Sequence, residues 1–102
     1  MDYNEIIEIT KRYSDRVVDY MKPKWIILYG SYSNGLATSD SDIDIAVICD
    51  AIEDGYLEKS QQLFKLRRGI DSRIEPVLIE LGNDKSGFCD EVLKTGRIIY
   101  SS

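Results

Sequence analysis

The sequence contains no histidine among its 102 residues. This absence excludes Ser-His-Asp and Cys-His catalysis, histidine general bases and most zinc sites. Only two cysteines are present, Cys49 and Cys89, and they form no C-x-x-C pair, so neither a zinc site nor a disulfide framework is indicated. Carboxylates must therefore do any acid–base work, and a reducing cytoplasm is the expected location.

Long apolar runs are also missing. No stretch approaches the roughly 18 apolar residues of a membrane span, and residues 1–15 lack the apolar centre of a signal peptide, so we expect no membrane segment and no export. Basic residues are few, since 13 lysines and arginines face 18 acids and the net charge is −5. This charge disfavours general nucleic-acid binding, because phosphates would be repelled and the cluster Lys65, Arg67 and Arg68 is too small to compensate.

The composition is that of an ordinary globular protein, with 43% hydrophobic and 30% charged residues. A chain of this length predicts one domain, residues 1–102, with a modest core and no separate domain for binding an acceptor. The sequence does not decide between a monomer and a homo-oligomer.

The centre of the chain, residues 26–48, predicts two buried strands joined by a polar loop. The first strand ends at Gly30-Ser31 and the second opens with Asp42-Ile43-Asp44. Side chains alternate between the faces of a strand, so Asp42 and Asp44 should lie side by side while Ile43 faces the core. Two neighbouring carboxylates repel each other beside an apolar core, and a bound cation would relieve that repulsion.

These residue types indicate a site for a metal ion and a phosphate group. Carboxylate oxygens suit the hard ion Mg²⁺, which is usually completed by water and substrate phosphates. Gly30 lets the backbone approach a ligand closely, and Ser31 offers a hydroxyl and an amide to an anion. We therefore expect Gly30 and Ser31 to hold phosphates opposite Asp42 and Asp44.

A calcium loop is the alternative interpretation of the acids at positions 40, 42 and 44. An EF-hand loop needs glycine at its sixth position and glutamate at its twelfth, whereas this chain has Ile45 and Ala51 there. The alternative is therefore excluded.

The pattern Gly30-Ser31, a spacer of ten residues and Asp42-Ile43-Asp44 resembles the signature of the minimal nucleotidyltransferases of the DNA polymerase β superfamily. The resemblance extends over nearly the whole chain. It implies a third carboxylate on a later strand, and the segment 70–76 resembles that strand with Asp71 in the acidic position. Glu75 is the competing candidate, since an acid followed by Arg73 could also belong to an ion-paired strand face.

The order of predicted elements is helix, strand, short helix, strand, helix, strand, helix and a short closing strand. It predicts an α/β (α+β) fold of the polymerase β type, with one mixed sheet and helices packed on one face. Within the helix predicted over Tyr56 to Arg68, we expect Leu57, Leu63 and Phe64 to face the core. Pro76 should either bulge the third long strand or place it at a sheet edge.

The resemblance implies a Mg²⁺-dependent nucleotidyltransferase that transfers a nucleoside monophosphate, AMP from ATP, to an acceptor hydroxyl. Asp42, Asp44 and Asp71 would be the catalytic acids and the ligands of two Mg²⁺ ions, and Gly30 and Ser31 would bind the nucleoside triphosphate. Small members of this family occur as antitoxins beside HEPN-domain proteins, which implies a HEPN-type protein partner as acceptor. Many relatives have a basic residue where this chain has Asn34. A catalytically inactive module that neutralises a partner by docking remains the alternative.

Overall fold

The computed structural model describes residues 3–30, 32, 41–83 and 87–102. Three longer helices surround a four-stranded sheet, and a short 3₁₀ turn, Leu81–Asn83, follows the third strand. The helices are α1 (Tyr3–Met21), α2 (Tyr56–Lys65) and α3 (Phe88–Thr95), and the strands are β1 (Trp25–Tyr29), β2 (Ile43–Cys49), β3 (Ile74–Glu80) and β4 (Arg97–Ser101).

The first helix, α1, forms because its apolar residues recur every three or four positions and give one stripe that faces the core. Ile6, Tyr13 and Val17 in this stripe are fully buried. The helix ends at Met21, two residues before Pro23, because proline disfavours the helical conformation in the residue that precedes it.

The predicted mixed sheet is confirmed. Its strand order is β3-β2-β1-β4, in which β1 pairs antiparallel with β2 and β4 while β2 and β3 run parallel. β3 lies at an edge of the sheet, which is one of the two outcomes expected from Pro76. The parallel pairing places the beginnings of β2 and β3 at the same end of the sheet.

Both faces of the sheet carry helices. α1 and α2 cover the face that contains Ile26, Ile45 and Ile74, as expected. α3 packs on the opposite face, where Cys89 and Val92 belong to the cluster of Ile27, Ala46 and Ile48. All helices were expected to pack on one face of the sheet, and this holds for α1 and α2 only. Asp44 projects from the face that carries α3.

The inward residues of α2 were predicted wrongly in part. Leu63 is buried, and its carbonyl accepts a hydrogen bond of 2.6 Å from the Tyr13 hydroxyl. Leu57 is 69% exposed and Phe64 is 39% exposed. Successive residues of a helix are rotated by about 100°, so Leu57 lies roughly 120° around the axis of α2 from Leu63. Leu57 and Phe64 lie on the same side of the helix. α2 packs against the edge strand β3, and Leu57 and Phe64 project away from it toward solvent.

Neither cysteine is accessible, because Cys49 and Cys89 are both buried as free thiols. No helix in the described part of the chain is long and apolar enough to cross a lipid bilayer.

We expect Gly96→Ala to destabilise the fold, because a Cβ at this position would lie 2.6 Å from Ile27 Cγ2, 2.7 Å from the Val92 carbonyl oxygen and 2.9 Å from the Leu28 carbonyl oxygen. Overpacking against backbone costs about 1–3 kcal/mol. Gly82→Ala is the matched control, because a Cβ there meets no atom within 4 Å. Urea unfolding should show a lower free energy of unfolding only for Gly96→Ala. Equal unfolding midpoints for both variants would mean that β1 and α3 can move apart without cost.

Candidate active site

A row of polar side chains crosses one end of the sheet on the face that carries α3. Tyr29 of β1 pairs with Asp44 of β2, and Asp44 pairs with Glu75 of β3. Residues paired across neighbouring strands project from the same face, so the phenol and the two carboxylates are neighbours. The next row on this face is apolar and contains Ile27, Ala46 and Val77. The carboxylates therefore stand at the border of the core.

Asp42 joins this row from the segment just before β2, where its side chain is exposed. The pKa of Asp44 is raised above its ordinary value, first by burial and then by the negative charges of Asp42 and Glu75. The same surroundings raise the pKa of Tyr29 to about 12, through burial first and then through Asp44 and Glu75. The three carboxylates thus form a cluster of negative charge in which Asp42 and Glu75 both act on Asp44.

Gly30 ends β1 directly beside this cluster. Its φ of +74° lies in the left-handed region, where side chains other than glycine are strained. A Cβ at this position would overlap the Oδ2 atom of Asp44. Glycine is therefore required at position 30 for two reasons: the turn needs its backbone conformation, and the Asp44 carboxylate occupies the space of a side chain.

An aromatic contact connects the cluster to α3. The ring of Phe88, the first residue of α3, meets the ring of Tyr29 edge to face with centroids 5.4 Å apart. This packing holds the phenol against the carboxylate row. Nothing in the sequence indicated this role for Tyr29, because its strand neighbours were unknown.

Asp71 lies outside the row. It precedes β3, which begins only at Ile74, and its carboxylate accepts hydrogen bonds from Nε and Nη2 of Arg73 at 3.0 and 2.7 Å. The hydrogen bonds from the Arg73 side chain lower the pKa of Asp71, against the opposing effect of burial. The segment 70–76 was expected to form a strand that carries Asp71, but the strand begins only at Ile74, because residues 71–73 form a turn closed by this ion pair.

Arg73 connects three parts of the site. Its guanidinium holds Asp71 and donates from Nη1 to the hydroxyl of Tyr32 at 3.3 Å. Its carbonyl oxygen accepts a hydrogen bond of 2.8 Å from the amide of Ile43, the residue between the two aspartates of β2. The segment after Gly30, the start of β2 and the turn before β3 are thereby held together.

The donor set fits a hard cation. Asp42, Asp44 and Glu75 offer carboxylate oxygens, and a cation would remove the repulsion that raises the pKa of Asp44. Among residues 3–30, 32, 41–83 and 87–102, no three acidic or cysteine side chains already stand in ligating positions, so a cation would have to draw them together. Ser31, which the sequence suggested for phosphate contact, and Asn34, which stands where many relatives have a basic residue, lie outside the described residues.

The sequence analysis favoured Asp71 over Glu75 as the third acid, and the structure brings Glu75 rather than Asp71 to Asp44. The missing information was the parallel pairing of β2 and β3, which aligns Asp44 with Glu75. One signal was available: Glu75 precedes Pro76 inside an apolar run, so it belongs to the strand proper, whereas Asp71 follows the helix end at Gly69 closely.

Comparison with known proteins gives consistent results. A family model described as polymerase beta, nucleotidyltransferase, matches residues 4–102. A Methanocaldococcus jannaschii protein named as a protein adenylyltransferase is 37% identical over 79 residues, which cover 76% of this chain and 78% of the relative. The protein adenylyltransferase MntA of Shewanella oneidensis is 31% identical over 81 residues, which cover 79% of this chain and 56% of MntA.

Solved structures share the fold. A nucleotidyltransferase from Sulfolobus solfataricus superposes with a TM-score of 0.70 over 97% of this chain and 83% of its own, at 17% identity, which shows the fold alone. A chain of a toxin–antitoxin crystal structure with AMP-PNP superposes with a TM-score of 0.61 at 28% identity. The superposition covers 100% of this chain and 75% of that one. A chain from the complex of tri-AMPylated S. oneidensis HEPN toxin with MNT antitoxin superposes with a TM-score of 0.60 at 25% identity. The superposition covers 94% of this chain and 73% of that one.

Gly30→Ala and Gly69→Ala form a matched pair that tests the contact with Asp44. Both positions have nearly the same φ, +74° and +77°, so both variants should lose about 1–2 kcal/mol of stability. Only Gly30→Ala displaces the Asp44 carboxylate, because a Cβ at Gly69 meets nothing within 4 Å. Calorimetry should therefore show Mg²⁺-ATP binding weakened at least about tenfold in Gly30→Ala alone; equal affinities would contradict the proposed geometry.

Proposed function

Because the chain belongs to the polymerase β nucleotidyltransferase family, we propose that it transfers AMP from ATP to a hydroxyl of a protein acceptor and releases pyrophosphate. The observation that carries this proposal is the row of carboxylates beside Gly30, where burial and mutual repulsion create a demand for positive charge. Mg²⁺ held by these acids would neutralise the triphosphate and lower the pKa of the acceptor hydroxyl.

Each residue of the site has a distinct task in the proposal. Asp42 and Asp44 would hold the two Mg²⁺ ions together with a third acid, which is the role that the family resemblance implies for them. Gly30 and Ser31 receive the β- and γ-phosphates, for which Gly30 provides an approach free of a side chain. Because positioning and charge neutralisation dominate phosphoryl transfer, no histidine is required.

For the third acid we propose Glu75, with Asp71 acting through Arg73. Glu75 contributes to the field at Asp44, whereas the Asp71 carboxylate is engaged by the guanidinium and is 14% exposed. Asp71 and Arg73 are positioning residues in this scheme, because they fix the turn whose carbonyl holds the Ile43 amide. Asp71 as a direct metal ligand is the competing assignment.

A protein acceptor fits the names of the relatives of this chain. Relatives are named protein adenylyltransferases, and one neighbouring structure holds an AMPylated HEPN toxin with its MNT antitoxin. We therefore propose a HEPN-type toxin as acceptor, an antitoxin role for this chain and the cytoplasm as its location. An inactive module that blocks such a toxin by docking is the second candidate.

The decisive experiment is a transfer assay with labelled ATP, Mg²⁺ and a purified HEPN-type toxin. Wild type should add one adenylyl group or more to the acceptor and none to itself, as measured by intact-mass spectrometry. Asp42→Asn and Asp44→Asn should each abolish transfer while the melting temperature is kept or raised, because carboxylate repulsion is relieved.

Two results would count against this proposal. An Asp42→Asn/Asp44→Asn chain that still transfers AMP would remove the acids from the mechanism. An Asp42→Asn chain that neutralises the toxin in cells as well as wild type would favour the docking module. Glu8→Gln in α1 removes an exposed acid far from the row and serves as the control for lost negative charge.

A double-mutant cycle separates the two assignments of Asp71. If Asp71 acts through Arg73, then Asp71→Asn, Arg73→Gln and the double variant should all lose a similar factor, about 10–100-fold in kcat/KM. Glu75→Gln should lose more than any of them. Hydrogen exchange of the Ile43 amide in the nucleotide-free chain should rise in Arg73→Gln, since the turn that holds it loosens. Additive losses from Asp71 and Arg73, with a mild Glu75→Gln, would restore Asp71 as the third ligand.

A further inference from the structure

The outer side of α2 and the turn that follows it form a surface with an unusual combination of side chains. Leu57 and Phe64 project from the same side of α2 and are 69% and 39% exposed. Beyond Phe64 lies a shallow groove of about 350 Å³, and we call Leu57 together with this groove the α2 surface. The groove is lined by Phe64, Lys65, Arg67, Arg68, Gly69 and Ser72.

The charge of the groove is opposite to that of the chain. Its lining contains three cations and no acid, whereas the whole chain has a net charge of −5. Concentrated positive charge on an acidic protein attracts negative groups to one place and repels them elsewhere. The occupant of this surface should therefore carry acidic side chains.

Hydrogen bonds hold in place the turn that carries the cations of the groove. Nη1 of Arg67 donates to the carbonyl oxygens of Ser72 and Ile74 at 2.9 and 2.8 Å, and the guanidinium lies 5.2 Å from the centroid of the Phe64 ring. Nη1 of Arg16 in α1 donates to the carbonyl oxygens of Leu66 and Arg68 at 2.9 and 2.6 Å. A turn that is fixed before binding loses little conformational entropy when a partner docks.

The groove also lies at the end of the sheet that carries the carboxylates. Its last lining residue, Ser72, directly precedes Arg73, whose carbonyl holds the Ile43 amide between Asp42 and Asp44. A macromolecule that rests on the α2 surface can therefore reach around the start of β2 and β3 to the site.

We propose that the α2 surface docks an acidic segment of the protein acceptor, whose apolar side chains cover Leu57 and Phe64 and whose carboxylates face Lys65 and Arg68. The inference rests on the proposed function and names the surface that recognises the acceptor. Leu57 and Phe64 favour a protein over RNA, because an exposed leucine offers nothing to phosphates or bases and the cations are few. Docking close to the site would hold the acceptor hydroxyl near the carboxylates and raise its effective concentration.

Binding can be measured without chemistry, with the HEPN-type acceptor and no ATP or Mg²⁺. Lys65→Glu/Arg68→Glu and Leu57→Ser/Phe64→Ser should each weaken binding at least about tenfold by calorimetry. The control Lys11→Glu/Lys94→Glu changes net charge equally on exposed lysines of α1 and α3 and should stay within about twofold. In the transfer assay, the two α2 variants should raise the KM for acceptor and leave the KM for ATP unchanged. Arg67 is left intact because it holds the turn.

The outcomes separate this inference from the proposed function. If wild type binds through the α2 surface but transfers no AMP, the function falls and the docking surface stands. If transfer persists and the α2 variants bind and turn over acceptor as the control does, the docking surface falls and the function stands. A loss of binding in the α2 variants to a single-stranded RNA oligonucleotide, with acceptor binding unchanged, would overturn the protein occupant in favour of RNA. Melting curves equal to wild type establish that the variants are folded, and failure of wild type to bind the acceptor at all would overturn both.

Discussion

The structure depends on an unfavourable interaction: three carboxylates stand together at the border of an apolar sheet. Ile43 and Ile45 are fully buried, and they fix the strand so that Asp44 projects from the opposite face. Parallel pairing then aligns Glu75 with Asp44, and Asp42 adds a third charge two residues away. The strand pairing makes the repulsion between Asp44 and Glu75 persistent, since these two residues cannot separate without loss of the pairing between β2 and β3. In the proposed function, the fold has already borne the cost of assembling the negative charge that a cation would neutralise.

Much of the centre of the molecule follows from the sequence. Alternation in residues 43–49 determines which side chains face the core, and Gly30 marks the end of β1 because its conformation excludes other residues. The family resemblance and the mixed sheet were accordingly predicted, and both are confirmed. These features are local, and local patterns determine them through strand periodicity and backbone sterics.

The partner of a side chain across the sheet is a different kind of information. The family resemblance favours Asp71 over Glu75, and only the register of β2 with β3 places Glu75 at the row. Leu57 and Phe64 were expected inside because apolar residues on a helix usually face a core. Their exposure follows from the position of α2 at the sheet edge, a tertiary fact that helix periodicity does not contain. Arg73 illustrates the same limit, since its contacts reach Tyr32, Ile43 and Asp71.

Pro76 has a consequence for how copies of the chain can assemble. An edge strand normally presents free N–H groups that another chain can pair with, and such strand addition leads to filaments or continuous sheets. Pro76 has no N–H group, and it immediately follows Glu75 on the edge strand β3. Strand addition is therefore interrupted at the position where it would enclose the carboxylate row. Self-association through this edge is opposed by one residue.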